Sequence, residues 1–238
     1  MGILAEEMNV ALSKTDDSGY LFSYAGCLPS LNLQIVNDKK YKCHKYYSDV
    51  YNFLKNNSSI STIILFYRWP FYFNGRFDNL EGGVEYGTEH VVDSLTMNKK
   101  IISNTDKLTI IENNISDYFS KLYSLNKNFI IIFSTPEMGW EIPELLVKKI
   151  IKDGEKKVGE NHLSIDRKIY FKRNSNVYNF FQKMSKDYNL KIIYPHEIFC
   201  PKERCLAHIN NYPLYYDDDH LSSFGAKLLS NYIIKEIN

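Results

Sequence analysis

A chain of 238 residues with 44% hydrophobic and 24% charged residues is globular rather than disordered, and is long enough for one α/β domain with a substantial core. A formal net charge of +1 excludes a surface dominated by nucleic-acid contacts, which needs a clear basic excess. No apolar run approaches the roughly 20 residues that span a bilayer, and Met1-Gly2-Ile3-Leu4, followed at once by Glu6 and Glu7, does not read as a signal peptide.

Residues 3–13 carry apolar side chains at helical spacing and predict a helix. Residues 20–24 are short and aromatic, a strand candidate that Gly26-Cys27-Leu28-Pro29 ends. A helix over 43–54 stops at Asn56-Asn57-Ser58-Ser59. The β-branched run 60–67 then reads as a buried parallel strand, broken by Trp69-Pro70. Residues 71–104, with Gly75, Gly82, Gly83 and Gly87, are expected to be an irregular insertion over a cleft. Helical periodicity returns over 105–125, and 128–134 is the clearest buried strand. Residues 143–153 predict a helix with Pro143 in its first turn, and 154–161 a charged surface loop. A helix over 175–188, a strand over 190–194 and a helix over 222–237 complete the pattern. Strands alternating with helices imply a mostly parallel sheet in a three-layer α/β sandwich, a single domain over 1–238. The Lys and Arg residues between Lys148 and Arg173 read as a solvated face.

Four cysteines form two local pairs, Cys27 with Cys43 and Cys200 with Cys205. An even count in local pairs suits two short disulfide loops and an oxidising compartment. The larger loop would stabilise by about 3 kcal/mol on the chain-entropy estimate. A zinc site from Cys200, Cys205, His196 and His208 fits less well, because structural zinc favours tighter paired spacings. Four free buried thiols would instead suit a cytoplasmic chain; His196 and His208, which flank the small Cys200–Cys205 loop, read as structural or exposed.

The chemistry concentrates in Tyr216-Asp217-Asp218-Asp219-His220-Leu221-Ser222. A carboxylate ahead of an imidazole in a turn can accept its Nδ1–H, fix the tautomer and leave Nε2 free as a base. The plainer reading is an acidic turn in which Ser222 or Ser223 caps the following helix.

The order Asp217-x-x-His220-Leu221-Ser222-x-x-Gly225-Ala226 resembles the last motif block of the SGNH hydrolases. Together with Cys200-x4-Cys205, Tyr67-Arg68-Trp69 and Pro136-Glu137-Met138-Gly139-Trp140-x-x-Pro143, it resembles a narrower group. That group is the SGNH domain at the C-terminus of membrane-bound O-acyltransferases that acetylate bacterial surface polysaccharides. The resemblance implies a SGNH/flavodoxin-like fold and a Ser-His-Asp triad in which His220 is the base and Asp217 orients it. It implies candidate oxyanion and substrate residues at Gly26, Arg68, Trp69, Glu137 and Trp140. Each has a plainer alternative: Gly26 a turn glycine, Trp69 core, Arg68 the partner of a carboxylate, Glu137 and Trp140 a packed loop.

In the family the first, central strand ends in Gly-Asp-Ser-His and carries the nucleophile. No Gly-Asp-Ser occurs here, and Asp17-Ser18-Gly19 follows the first helix in a polar loop. The chain is therefore expected to be truncated just after that block, to lack the first strand, and to be inactive alone. The resemblance implies transfer of an acetyl or similar small acyl group to, or from, a hydroxyl of a cell-surface glycan. It implies a periplasmic or extracellular setting, a transmembrane acyltransferase module as partner, and neither cofactor nor metal. The alternative is a nucleophile-free glycan-binding or assembly module.

Overall fold

The run Asn128–Ile132 is a strand buried on both faces, and its alternation organises the two cores. Phe129, Ile131 and the following Phe133 point into one apolar cluster, while Ile130 and Ile132 point into the other. The computed structural model describes residues 2–24, 26–35, 42–85, 95–97, 100–101, 106–154 and 158–237.

In chain order come α1 (Gly2–Leu12), β1 (Leu33–Ile35), α2 (Cys43–Asn56) and β2 (Thr62–Phe66). Next are α3 (Trp69–Asn74), β3 (Leu95–Met97), β4 (Lys100–Ile101), α4 (Lys107–Tyr123) and β5 (Asn128–Ile132). Then come α5 (Ile142–Asp153), β6 (Ile165–Asp166), α6 (Arg167–Asp187) and β7 (Leu190–Ile193). The last are α7 (His196–Phe199), β8 (Arg204–Cys205), β9 (His208–Ile209), β10 (Tyr212–Pro213) and α8 (Ser223–Ile237).

The main sheet is parallel, in the order β2-β5-β7, with Ile64 opposite Ile130 and Ile130 opposite Lys191. One face is covered by α2, α3, α4 and much of α6 through Tyr47, Trp69, Ile111, Ile115, Phe119 and Phe181. The other is covered by α1, α7 and α8 through Leu4, Phe199, Ala226, Leu229 and Ile233. α1 packs on α8, where the Ser230 hydroxyl donates to the Glu7 carbonyl at 3.0 Å. This is the expected α/β sandwich. Ser134 ties the C-terminal ends of β2 and β5 together, accepting the Trp69 N–H at 2.9 Å and donating to the Tyr67 carbonyl at 3.0 Å. That end of a parallel sheet is where α/β folds place their ligand sites.

Four expectations need correction. Residues 20–24 form no strand: no described strand pairs with them, and a strand exists only with a hydrogen-bonded neighbour. Tyr20 and Phe22 instead lay their rings against Phe53 of α2 at 5.1 and 5.2 Å. The stretch 71–104 is not wholly irregular. Pro70 breaks β2 but, in the first turn of α3, starts a helix whose missing N–H costs nothing there. Farther on, Asp78 bridges Val84, and β3 and β4 join β1 in a small antiparallel sheet; residues 86–94 lie outside the described residues. α6 begins eight residues before the expected 175, because Asp166 caps it by accepting the Lys168 N–H at 2.7 Å. In the expected surface loop 154–161, residues 155–157 lie outside the described residues, but Val158 is buried and its N–H donates to Asn211 at 2.9 Å.

Both cysteine pairs are disulfides, Cys27–Cys43 and Cys200–Cys205, and all four residues are buried. His196 and His208 are buried too, His196 with its Nδ1 3.2 Å from the Tyr178 hydroxyl.

Gly225 sits where α8 meets the Leu214 backbone, and a Cβ there would strike the Leu214 carbonyl oxygen. That carbonyl is held by the Ser222 N–H at 3.0 Å. Alanine would gain about 1 kcal/mol in helix propensity, but overpacking against fixed backbone costs more. Gly225→Ala is expected to destabilise by about 1–3 kcal/mol net, measured by urea unfolding; an unchanged midpoint would contradict the close packing.

Candidate active site

The turn between β10 and α8 is folded by Asp217 itself. One carboxylate oxygen, Oδ1, accepts the backbone N–H of Asp219 at 3.0 Å and of His220 at 2.7 Å. This turn, of the kind aspartate favours, brings the His220 ring round to the other oxygen. Asp217 Oδ2 lies 2.8 Å from His220 Nδ1. Tyr216 N–H donates to the His220 carbonyl at 2.8 Å, and Tyr215 bridges Leu221, so the ends of the loop are pinned. The plainer reading also holds, one residue on: Ser222 Oγ accepts the Gly225 N–H at 3.1 Å and donates to the Pro213 carbonyl at 2.6 Å, capping α8.

The His220 side chain is 62% exposed, so its unengaged edge faces solvent. Hydrogen bonds to Asp217 and then Asp219 push its pKa up to about 10. Burial would raise the Asp217 carboxyl, but the His220 hydrogen bond and the turn's N–H groups outweigh it and hold Asp217 at about 2. Asp218 turns the other way: burial, then the neighbouring Asp219 and Asp217, push it up to about 7.

Behind the turn lies a buried ion-pair network. Asp219 reaches His220 Nδ1 at 2.9 Å with Oδ1 and Arg68 Nη1 at 2.8 Å with Oδ2. Arg68 Nη1 also donates to Glu85 Oε1, and its Nε to Glu137 Oε1, both at 2.6 Å. Glu137 in turn accepts Arg173 Nε at 2.7 Å. Burial alone would raise Glu137, yet Arg68 and Arg173 outweigh it and lower its pKa. The loop after β5 is fastened to the turn as well, since Met138 and Gly139 donate to the Asp218 carbonyl at 2.8 and 3.3 Å.

The structure thus brings Asp217, His220, Arg68 and Glu137 into one assembly. Arg68 is the carboxylate's partner of the plainer reading, committed to three acids. Trp69 is core: it is fully buried and its indole N–H donates to the Ile132 carbonyl at 3.0 Å, so it floors no sugar site. Trp140 is half-buried on the loop joined to the turn, beside Gly83, where a Cβ would meet its ring at 2.7 Å. Gly26 is a turn glycine with a left-handed φ of 73° beside the Cys27–Cys43 bridge. Among the described residues no hydrogen bond joins it to the assembly.

Asp219, Glu85 and Arg173 were not singled out by sequence. Asp219 hides in a run of three acids, and Glu85 sits among glycines without periodicity. Arg173 looked like part of a solvated face, yet it is buried against Glu137 and the Gly75 carbonyl, its Nη2 donating to the latter at 2.6 Å. Asp217, Asp219 and His220 each bring one ligand atom to within 4.8 Å of one another, compact enough for a cation; Nδ1, the ring nitrogen turned to both acids, is the one they engage.

The sequence matches a family model described as SGNH domain (fused to AT3 domains) over residues 1–235. The fold is similar to that of the periplasmic domain of a lipopolysaccharide acetyltransferase from Salmonella ser. Paratyphi A. The TM-score is 0.63 at 14% identity, over 98% of this chain and 77% of that one. At that identity the likeness speaks for the fold alone. No curated protein matches the chain in sequence.

Two outcomes follow from the electrostatics. Glu137→Ala would leave the buried guanidinium of Arg173 without its carboxylate and is expected to cost about 3 kcal/mol in chemical denaturation. His220 gains proton affinity on folding, so its pairing stabilises the fold fully below its ordinary value of 6.5 and loses that stabilisation as pH rises through about 10. Asp217, held down to about 2, contributes above its ordinary 3.8 and fades below it. The difference in Tm between the native protein and His220→Ala is therefore expected to be widest between about pH 4 and 6.5 and to close towards pH 10.

Proposed function

The chain belongs to the family of SGNH domains fused to AT3 domains, and from that premise we propose that it is the acyl-transferring domain of an O-acyltransferase acting on a cell-surface glycan. Its substrate is an acetyl or similar small acyl group, its acceptor a sugar hydroxyl, and its partner the transmembrane module to which such domains are fused. The working site lies on the periplasmic or extracellular side of the membrane, where two disulfides are at home. No helix among the described residues is long and apolar enough to cross a membrane.

The observation that carries this reading is the Asp217 carboxylate on His220 Nδ1 at 2.8 Å, with the far edge of the ring open to solvent. In that geometry Nε2 removes the proton of a serine alcohol as the alcohol attacks the acyl carbonyl, and the imidazolium returns the proton to the leaving group. A sugar hydroxyl then gives up its proton to Nε2 and attacks the acyl-serine carbonyl; the acyl–oxygen bond to serine breaks, the imidazolium returns the proton to the serine oxygen, and the sugar leaves as the ester. Water in place of the sugar makes the same site an esterase. The sequence contains no Gly-Asp-Ser; the scheme requires a serine alcohol within reach of Nε2. The Trp140 loop is assigned the sugar contacts, with Arg68 and Glu137 as its framework, and Gly26, which no hydrogen bond among the described residues ties to that framework, the oxyanion contact.

That same lack of a Gly-Asp-Ser favours one second reading, a glycan-binding or assembly module without its own nucleophile. Acyl content of the surface glycan, measured in cells carrying the full-length protein, separates the two. His220→Ala is expected to lower acylation by about 10³-fold or more, and Asp217→Asn by a comparable factor. Activity of the intact enzyme is expected to climb with pH as His220 loses its own proton. Undiminished acylation in both variants would overturn the enzymatic reading in favour of the binding module.

A further inference from the structure

We propose that Asp219, clamped by Arg68, is a second positioning residue for His220, so that a pair of carboxylates rather than Asp217 alone aims the imidazole. The proposal rests on the reading of His220 as the base, and concerns how that base is held.

Two acids face one ring nitrogen, Asp217 Oδ2 at 2.8 Å and Asp219 Oδ1 at 2.9 Å. They are anchored differently. Asp217 spends its other oxygen on the N–H groups of its own turn, so it can hold the ring only as firmly as the turn holds itself. Asp219 has its side chain 8% exposed and spends its other oxygen on Arg68 Nη1 at 2.8 Å. Arg68 stands at the C-terminal end of β2 and is fixed by Glu137, just beyond β5, and by Glu85 from the Asp78–Val84 hairpin. Asp219 therefore refers the ring to the C-terminal ends of two paired strands of the parallel sheet. Catalytic geometry tolerates errors of only about half an ångström, and a two-point tether, one local and one to the sheet, restricts the ring more than either point alone.

The charges agree. Asp217 and Asp219 face the imidazole from its own turn, and Glu85 and Glu137 behind them share Arg68 and Arg173, an excess of acids over the arginines paired with them. A proton on His220 relieves that excess, in line with a ring pushed up to about 10.

The test is an NMR titration of the His220 imidazole nitrogens in this domain as it stands, so it reads the tether whether or not acyl transfer occurs. Asp219→Asn is expected to lower the His220 midpoint by about one pH unit or more, Asp217→Asn likewise, and the double variant to return it to about 6.5. An unchanged midpoint in Asp219→Asn, alongside a fall in Asp217→Asn, would overturn the proposal and leave Asp219 a structural partner of Arg68. Should Asp219→Asn fail to fold, the unaltered domain decides. The carboxyl carbon of Asp219 is expected to shift in step with that of Asp217 at the His220 midpoint, and a flat Asp219 signal sinks the idea.

Discussion

An arginine whose side chain is only 25% exposed holds this site together. Arg68 emerges from the end of β2 and meets carboxylates from three separate places: the hairpin through Glu85, the loop after β5 through Glu137, and the turn before α8 through Asp219. Taking such charges out of water is costly and is tolerated only when each finds its counter-charge at good geometry. That requirement makes the network a constraint: move any one element and a buried charge is stranded. The Asp217–His220 pair inherits its place in the molecule from this constraint more than from the turn that contains it.

Much of the fold was legible because the relevant physics is periodic. Phe129, Ile130, Ile131 and Ile132 announce a strand buried on both faces, and Ile111, Ile115, Phe119 and Leu122 a helix stripe. The parts that misled are those where periodicity is silent. Tyr20, Leu21 and Phe22 have a strand's composition, but composition does not supply a neighbour to pair with. Trp69 looked equally suited to a sugar face or a core, and only the Ile132 carbonyl waiting for its indole N–H decides. Arg173 has the same letter as any surface arginine; its burial follows from where Glu137 lies, thirty-six positions away.

The chemical turn was the reverse case, with more in it than one reading could use. The motif positions divide the labour: Asp217 folds the loop and holds the ring, Ser222 caps the helix, and Gly225 lets that helix approach the Leu214 backbone. A helix cap and an Asp–His contact were alternatives on paper. In three dimensions the Ser222 cap and the Asp217–His220 hydrogen bond both stand in one short segment.

The bond from Met138 and Gly139 to the Asp218 carbonyl has an optical consequence. The protein has two tryptophans. Trp69, fully enclosed, emits from an apolar surround. Trp140, next to Gly139 and only part-covered, shares its loop with the turn that carries His220. Intrinsic fluorescence therefore joins the emission of an enclosed indole to a signal wired to the imidazole's own support, a dye that the molecule already carries.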